Sequence, residues 1–166
     1  MVAAGVCLSL SGCTVESGAV AGLGVDDQGR PVGYVQVCQG QIDSMTLWVG
    51  TGDDLAAGWT STSVIGSGGF STFLFADPGP DWKAGSPAYA GLDPAKSYTL
   101  QGNGGKDDNE WSTQYVDVTA TTLRQLKPGQ VRYWAGTNDS STKDYFTVSS
   151  VEEFKASACK ALTGGA

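Results

Sequence analysis

Ala19-Val20-Ala21-Gly22-Leu23-Gly24-Val25, then Asp26-Asp27-Gln28-Gly29-Arg30-Pro31, then Val32-Gly33-Tyr34-Val35-Gln36-Val37-Cys38 is the stretch that decides the fold. Two apolar runs of strand length flank six residues of turn chemistry. Asp side chains bond their own backbone, Gly accepts positive φ, and Pro has no N–H to give to a ladder. The arrangement predicts a hairpin, with Pro31 at the first residue of its strand or on an edge.

The same grammar repeats along the chain. Ile42–Gly50 reads as a third strand, with Met45, Leu47 and Val49 alternating against Ser44, Thr46 and Trp48. Asp53–Thr60 reads as a loop, Ser63–Gly66 as a weak strand and Phe70–Ala76 as a strong one. Residues 77–96, rich in Pro and Gly, form the longest irregular segment and read as a crossover between sheets. Tyr98–Gln101 resumes the strand pattern, and in Gln114–Ala120 the residues Tyr115, Asp117 and Thr119 alternate with Val116 and Val118. Thr122–Leu126 suits one helical turn before Pro128-Gly129, and Val131–Trp134 with Tyr145–Val148 makes a last strand pair.

Ser150 and Glu153 have capping-box spacing, and Phe154, Ala158, Ala161 and Leu162 follow on one stripe, which predicts a short C-terminal helix. About eight or nine short strands separated by turns predict an all-β fold. The architecture expected is an antiparallel β-sandwich, immunoglobulin-like in the broad sense, forming a single domain over 19–166. A barrel is the alternative.

Composition narrows function by exclusion. A net charge of −7 disfavours nucleic acid as a partner, since phosphate binding needs a basic surface. The charge is uneven, with thirteen acidic and four basic residues in 1–120 against four acidic and six basic in 121–166. The mildly basic C-terminal strip reads as a solvated face. The chain has no histidine, so Ser-His-Asp and Cys-His nucleophile systems cannot be assembled from it. Its four cysteines, Cys7, Cys13, Cys38 and Cys159, show no CxxC spacing that would suggest zinc, and they permit three disulfide pairings.

The N-terminal run Val2–Leu10 is apolar and uncharged, long enough for a signal h-region and short of the roughly 20 residues that span a bilayer. It ends in Leu10-Ser11-Gly12-Cys13, with small residues where a peptidase must approach the backbone. The segment resembles the signal of bacterial lipoproteins, and the composition and layout of the whole chain are similar to uncharacterised lipoproteins of high-GC Gram-positive bacteria. That resemblance implies lipidation of Cys13, removal of residues 1–12, a tether over 13–18, and an extracytoplasmic domain held at the cell membrane. It also implies a fate for every cysteine. Cys7 leaves with the signal, Cys13 takes the lipid, and Cys38 and Cys159 remain to form one disulfide. One departure keeps a second reading open, in which 2–13 is a buried strand and Cys7 pairs with Cys13 beside a Cys38–Cys159 bridge. No Lys or Arg precedes the apolar run, where a signal usually opens with positive charge; a start upstream of Met1 would supply it.

Candidate sites are fewer. Asp107-Asp108-Asn109-Glu110 is the densest acidic cluster, and Asp107, Asp108 and Glu110 are candidate Ca²⁺ ligands, because hard cations want converging oxygens. Asp53-Asp54 and Asp26-Asp27 are weaker versions. Asp81 and Glu110 are nominees for a carboxylate pair that could hydrolyse a glycosidic bond. Ser140-Ser141-Thr142-Lys143 matches S-x-x-K by chance, in a predicted turn and without companion motifs; the sequon at Asn138 carries little weight in a bacterial protein. Trp48 and Trp134 fall in predicted strands, whereas Trp59, Trp82 and Trp111 flank polar loops. Trp82 and Trp111 are therefore candidates for stacking on a sugar ring or anchoring a partner.

The expectation is a membrane-proximal binding module, with no catalytic residue assigned and no cofactor beyond Ca²⁺ at the acidic cluster. Its partner would be an unidentified protein or glycan. A small carboxylate-dependent envelope hydrolase and a carbohydrate-binding module are the alternatives.

Overall fold

A computed structural model describes residues 15–52, 54–106, 110–137 and 144–163. The hairpin lies at its centre. Strand β1 (Glu16–Val25) pairs antiparallel with β2 (Pro31–Val37), from Ala19 opposite Val37 to Val25 opposite Pro31. Asp26 closes the turn: its Oδ1 accepts from the backbone N–H of Gln28 at 3.0 Å and of Arg30 at 2.8 Å. Its Oδ2 accepts from Arg30 Nε at 2.7 Å. Desolvation, the largest single influence, raises the Asp26 pKa, and the bonds from Arg30 and Gln28 with the Arg30 charge together outweigh it, leaving the value below that of an ordinary carboxyl.

A carboxyl depressed in the native state adds stability above its unfolded-state pKa, and that contribution fades as pH falls through the native value. Asp26→Asn is accordingly expected to flatten the acid limb of the stability–pH curve while leaving the rest of its shape unchanged. Urea unfolding at stepped acid pH reads this directly. An acid limb identical to wild type would remove Asp26 from the account.

Every residue of β1 from Gly18 onward is buried. Ala19, Ala21, Leu23 and Val25 face an inner core, while Val20, Gly22 and Gly24 face an outer layer. Burial on both faces explains an unbroken apolar run in place of strict alternation. The glycines are there for space: a β-carbon on Gly22 would fall 2.6 Å from Val131 Cγ1 and 3.3 Å from Phe154 Cζ.

The sheet forks at β1. One edge carries β2; the other is divided between β8 (Trp111–Gln114), parallel along Glu16–Val20, and β10 (Gln130–Thr137), antiparallel along Gly22–Gly24. Beyond β10 lies β11 (Asp144–Ser150). Beyond β8 the order runs through β7 (Ser97–Gly104), β3 (Gln41–Val49), β4 (Asp54–Gly66) and β6 (Trp82–Ala84). Strand β5 (Phe70–Leu74) pairs with β2, and β9 (Val116–Thr119) with β7. A six-residue helix, α1 (Ala120–Gln125), follows β9 and is capped by Thr119, whose hydroxyl accepts from Thr122 N. The expected all-β, sandwich-like fold is what the chain forms, and among the described residues one pairing, β1 with β8, is parallel and the rest are antiparallel. The sheet also begins at Glu16, inside the segment read as tether.

The C-terminal helix, α2 (Val151–Leu162), lies on the outer layer. Ser150 Oγ accepts from Glu153 N at 3.1 Å, Glu152 and Glu153 occupy the first turn, and Lys160 the last, all favourable to the helix dipole. Phe154 and Ala158, four residues apart, are fully buried against Val20, Tyr34, Val131 and Tyr133. Burying Phe154 alone contributes about 1.5–3 kcal/mol. The disulfide Cys38–Cys159 fastens the same helix to the residue after β2, with Cα atoms 5.3 Å apart.

The opposite end of the sheet curls until β4 and β6 come near β5, without a ladder between β4 and β5 among the described residues. Two indoles bridge this seam. Trp59 Nε1 donates to Phe75 O at 3.0 Å, and Trp82 Nε1 to Ser71 Oγ at 2.9 Å. Residues 54–60, expected as a loop, are the first half of β4. Asp54, Ala56, Ala57 and Gly58 are poor strand formers, and the β3 partner overrides that preference. Residues 77–96 contain β6 and then cover the core, with Tyr89 edge-on to Phe75 at 5.2 Å.

Candidate functional site

The predicted site residues scatter. Cys13 with the whole of 1–14, Asp107, Asp108 and Asn138–Lys143 lie outside the described residues, so the lipidation and calcium readings have no geometry to meet. Glu110 is exposed, its N–H bonded to Gly104 O at 3.3 Å. Among the described residues no group of three metal-ligating side chains converges. Asp81 and Glu110 do not form a pair, because β4, β3 and β7 stand between β6 and β8 in the sheet.

Trp82 corrects an expectation. It is 2% exposed, with its ring 4.8 Å from that of Phe73 and its N–H spent on Ser71, so it offers no face to a ligand. The polar residues before it are a surface turn, and the three-residue strand that follows points the indole inward. Trp111 is half-buried and lies flat over Gly40, where a β-carbon would fall 2.1 Å from Cδ2. Gly40 also needs its φ of 69°, so this contact belongs to packing of the sheet. Trp59 and Trp134 are buried as well, whereas Trp48 is partly exposed.

The side chains that do converge are others. A cleft of about 250 Å³ opens on the outward face of β7 and β9, lined by Thr51, Thr99, Gln101, Tyr115 and Asp117. Register explains the grouping: Trp48 stands opposite Thr99, and Thr99 opposite Asp117, in one row across three strands. Thr46 opposite Gln101 forms the next row. Their chain neighbours Leu47, Leu100, Val116 and Val118 point into the core.

Tyr115, two residues before Asp117, joins this face by the alternation of the strand, and the ladder is irregular just before it. Pairing steps from Leu100 opposite Val116 to Asn103 opposite Ser112, so the β8–β9 chain carries one extra residue there. Gly102 N, displaced from the ladder, donates to Thr113 Oγ1 at 2.8 Å. The Tyr115 ring stands edge-on to Phe146 at 5.8 Å, and Phe146 is covered by the Arg132 guanidinium at 4.7 Å. Thr99 Oγ1 donates to Gly50 O at 2.7 Å, which fixes its hydroxyl and leaves its oxygen able to accept.

A second, more open groove of about 400 Å³ follows the seam between Ser61–Gly66 and Gly69–Ser71. Its one charged wall residue is Asp81. The alternation of Tyr115 and Asp117 against valines was the only sequence signal for the cleft; nothing in it announced that β7 would supply the other wall. No family model, no curated protein and no solved structure matches the chain.

Proposed function

We propose that the protein is a lipid-anchored, extracytoplasmic binding module of the cell envelope, held at the membrane through Cys13. The observation that carries this reading is the disulfide. Cys38 and Cys159 pair with each other, as the lipoprotein reading expects, and in that reading Cys7 leaves with the signal and Cys13 takes the lipid. A structural disulfide also suits an oxidising compartment outside the cytoplasm. Among the described residues no helix is long and apolar enough to cross a membrane, so attachment by this route would rest on the lipid.

The tether would be short. With β1 starting at Glu16, only Thr14 and Val15 separate Cys13 from the sheet, a reach of about 10 Å at full extension. A module so placed meets ligands close to the bilayer surface. Cys13→Ser, expressed in a bacterium that processes lipoproteins, is expected to move the protein from the membrane fraction to the soluble one. Intact mass of the wild type should show an N-terminus at Cys13 with added diacylglycerol. A Cys13→Ser protein that stays membrane-bound with residues 1–12 in place would overturn the proposal.

A further inference from the structure

We infer that the free edge of β5 takes up an extended, basic segment of a partner protein, laid as an added strand along the groove between β4 and β5. The inference deepens the binding reading above and rests on it only in taking the domain to bind; it does not depend on the anchor.

The ladder geometry leaves the edge open. Strand β5 is laddered to β2 and to no other strand among the described residues. Val37 N donates to Gly69 O at 2.9 Å and Phe75 N to Pro31 O at 3.1 Å, so Gly69, Ser71, Phe73 and Phe75 turn their backbone groups towards β2. By the alternation of an antiparallel ladder, Phe70, Thr72 and Leu74 turn theirs the other way. Thr72 is exposed. The run Phe70-Ser71-Thr72-Phe73-Leu74 holds no charge and no proline, the usual guards of an open edge.

Strand β4 leaves room alongside. It joins β5 through the turn Gly66–Gly69, closed where Gly69 N donates to Gly66 O at 2.8 Å. Beyond the turn the two strands part. Pairing with β3 steps from Ile65 opposite Ile42 to Thr60 opposite Ser44, so residues 61–64 have only Asp43 across from them. That excursion forms the far wall of the groove of about 400 Å³, and Val64, 56% exposed, stands on it. An added strand would meet the N–H and C=O groups of Phe70, Thr72 and Leu74 on one side and cover Val64 on the other, which is peptide recognition by strand addition. Phe70–Leu74 spans about 13 Å, so the pairing takes about five residues of the partner.

Charge selects the occupant. Asp81 is the one charged residue of the groove wall among the described residues. Its main-chain oxygen accepts from Thr62 N at 2.8 Å, Thr62 Oγ1 at 3.1 Å and Ser61 Oγ at 3.3 Å, whereas its carboxylate makes no hydrogen bond or ion pair among the described residues. Lys155 lies over the Phe70 ring and does not line the groove. A Lys or Arg on the added strand complements a carboxylate whose backbone is fixed in this way, and an acidic strand would be repelled.

The test is an NMR titration of the full chain with three capped peptides, acetyl-Thr-X-Thr-Lys-Thr-X-Thr-amide with X as Val, Ile or Phe, and with counterparts carrying Glu in place of Lys. At least one Lys peptide is expected to give saturable shifts at the backbone amides of Phe70, Thr72 and Leu74 and to slow their hydrogen exchange. Asp81→Asn should weaken that peptide about threefold, the scale of an exposed ion pair. Thr72→Pro removes an edge N–H that β2 does not use and should abolish binding. A peptide N-methylated at its three central residues should fail in the same way, whether or not Thr72→Pro folds. No saturable shift with any Lys peptide, equal binding of the Glu counterpart, shifts that leave Phe70, Thr72 and Leu74 unmoved, or unchanged binding by Asp81→Asn would each overturn the inference. Concentration-dependent shifts of the same amides without peptide would make a second copy of the chain the occupant and overturn it too. Membrane fractionation of Cys13→Ser is read separately, so anchoring and partner class fail independently.

Discussion

Trp59→Ala is expected to cost about 3–5 kcal/mol, among the largest losses any single substitution in this domain can produce. Trp59 is 2% exposed and its ring lies 4.9 Å from Phe73 and 4.7 Å from Phe75. Truncation would leave a void among rings that are themselves pinned by the sheet and cannot collapse into it. There is also a polar cost. Phe75 N donates to Pro31 O at 3.1 Å, but Pro31 has no N–H to return to Phe75 O; the Trp59 indole supplies that bond instead.

Trp59→Phe separates the two effects, since it keeps much of the volume and loses the donor. It should cost about 1–3 kcal/mol, the range for a buried group left unsatisfied. Urea unfolding of both variants checks the ordering. Equal losses, or a Trp59→Ala loss below about 1 kcal/mol, would contradict the role assigned to Trp59 in the seam.

The second large effect belongs to the disulfide. Cys38→Ser combined with Cys159→Ser is expected to cost about 4–5 kcal/mol by the chain-entropy model for so long a loop. The cysteines are 121 residues apart, and the bridge therefore restrains most of the unfolded chain. Phe154 and Ala158 continue to hold α2 against the sheet in the native state. The native spectrum of the double variant should then change little, while the urea midpoint falls and the m-value rises as the unfolded chain expands. A midpoint within experimental error of wild type would show that packing of α2 makes the bridge redundant.

Much of the fold was legible because its cues are local. The turn Asp26–Pro31 carries its own hydrogen bonds, and Ser150 caps α2 from an adjacent position in the chain. What escaped depends on partners far away in sequence. Residues 54–60 become a strand only because β3 lies alongside, and Trp82 turns inward only because β4 and Phe73 await it. The Cys38–Cys159 pair was one of several arithmetical options until the lipoprotein resemblance singled it out. The cleft was the least legible feature. Gln101 and Asp117 each look like an ordinary outward polar residue, and their meeting requires the β7–β9 register.

The covalent bridge has a mechanical side. Tension applied between the two chain ends would run along β1 and β2 to Cys38, cross to Cys159, and leave through the end of α2. Once β1 and β2 have come away from their neighbours, residues 39–158 would carry none of it. Of the described residues, 15–38 could pay out on the N-terminal side, about 80 Å of chain at full extension, before the pull met a sulfur–sulfur bond. The first resistance would come from Glu16–Val20, which slides against β8 in parallel and must break several bonds at once. A body tugged at its N-terminal end would thus yield by a short, bounded length before the covalent bridge takes the load and spares the cleft-bearing strands.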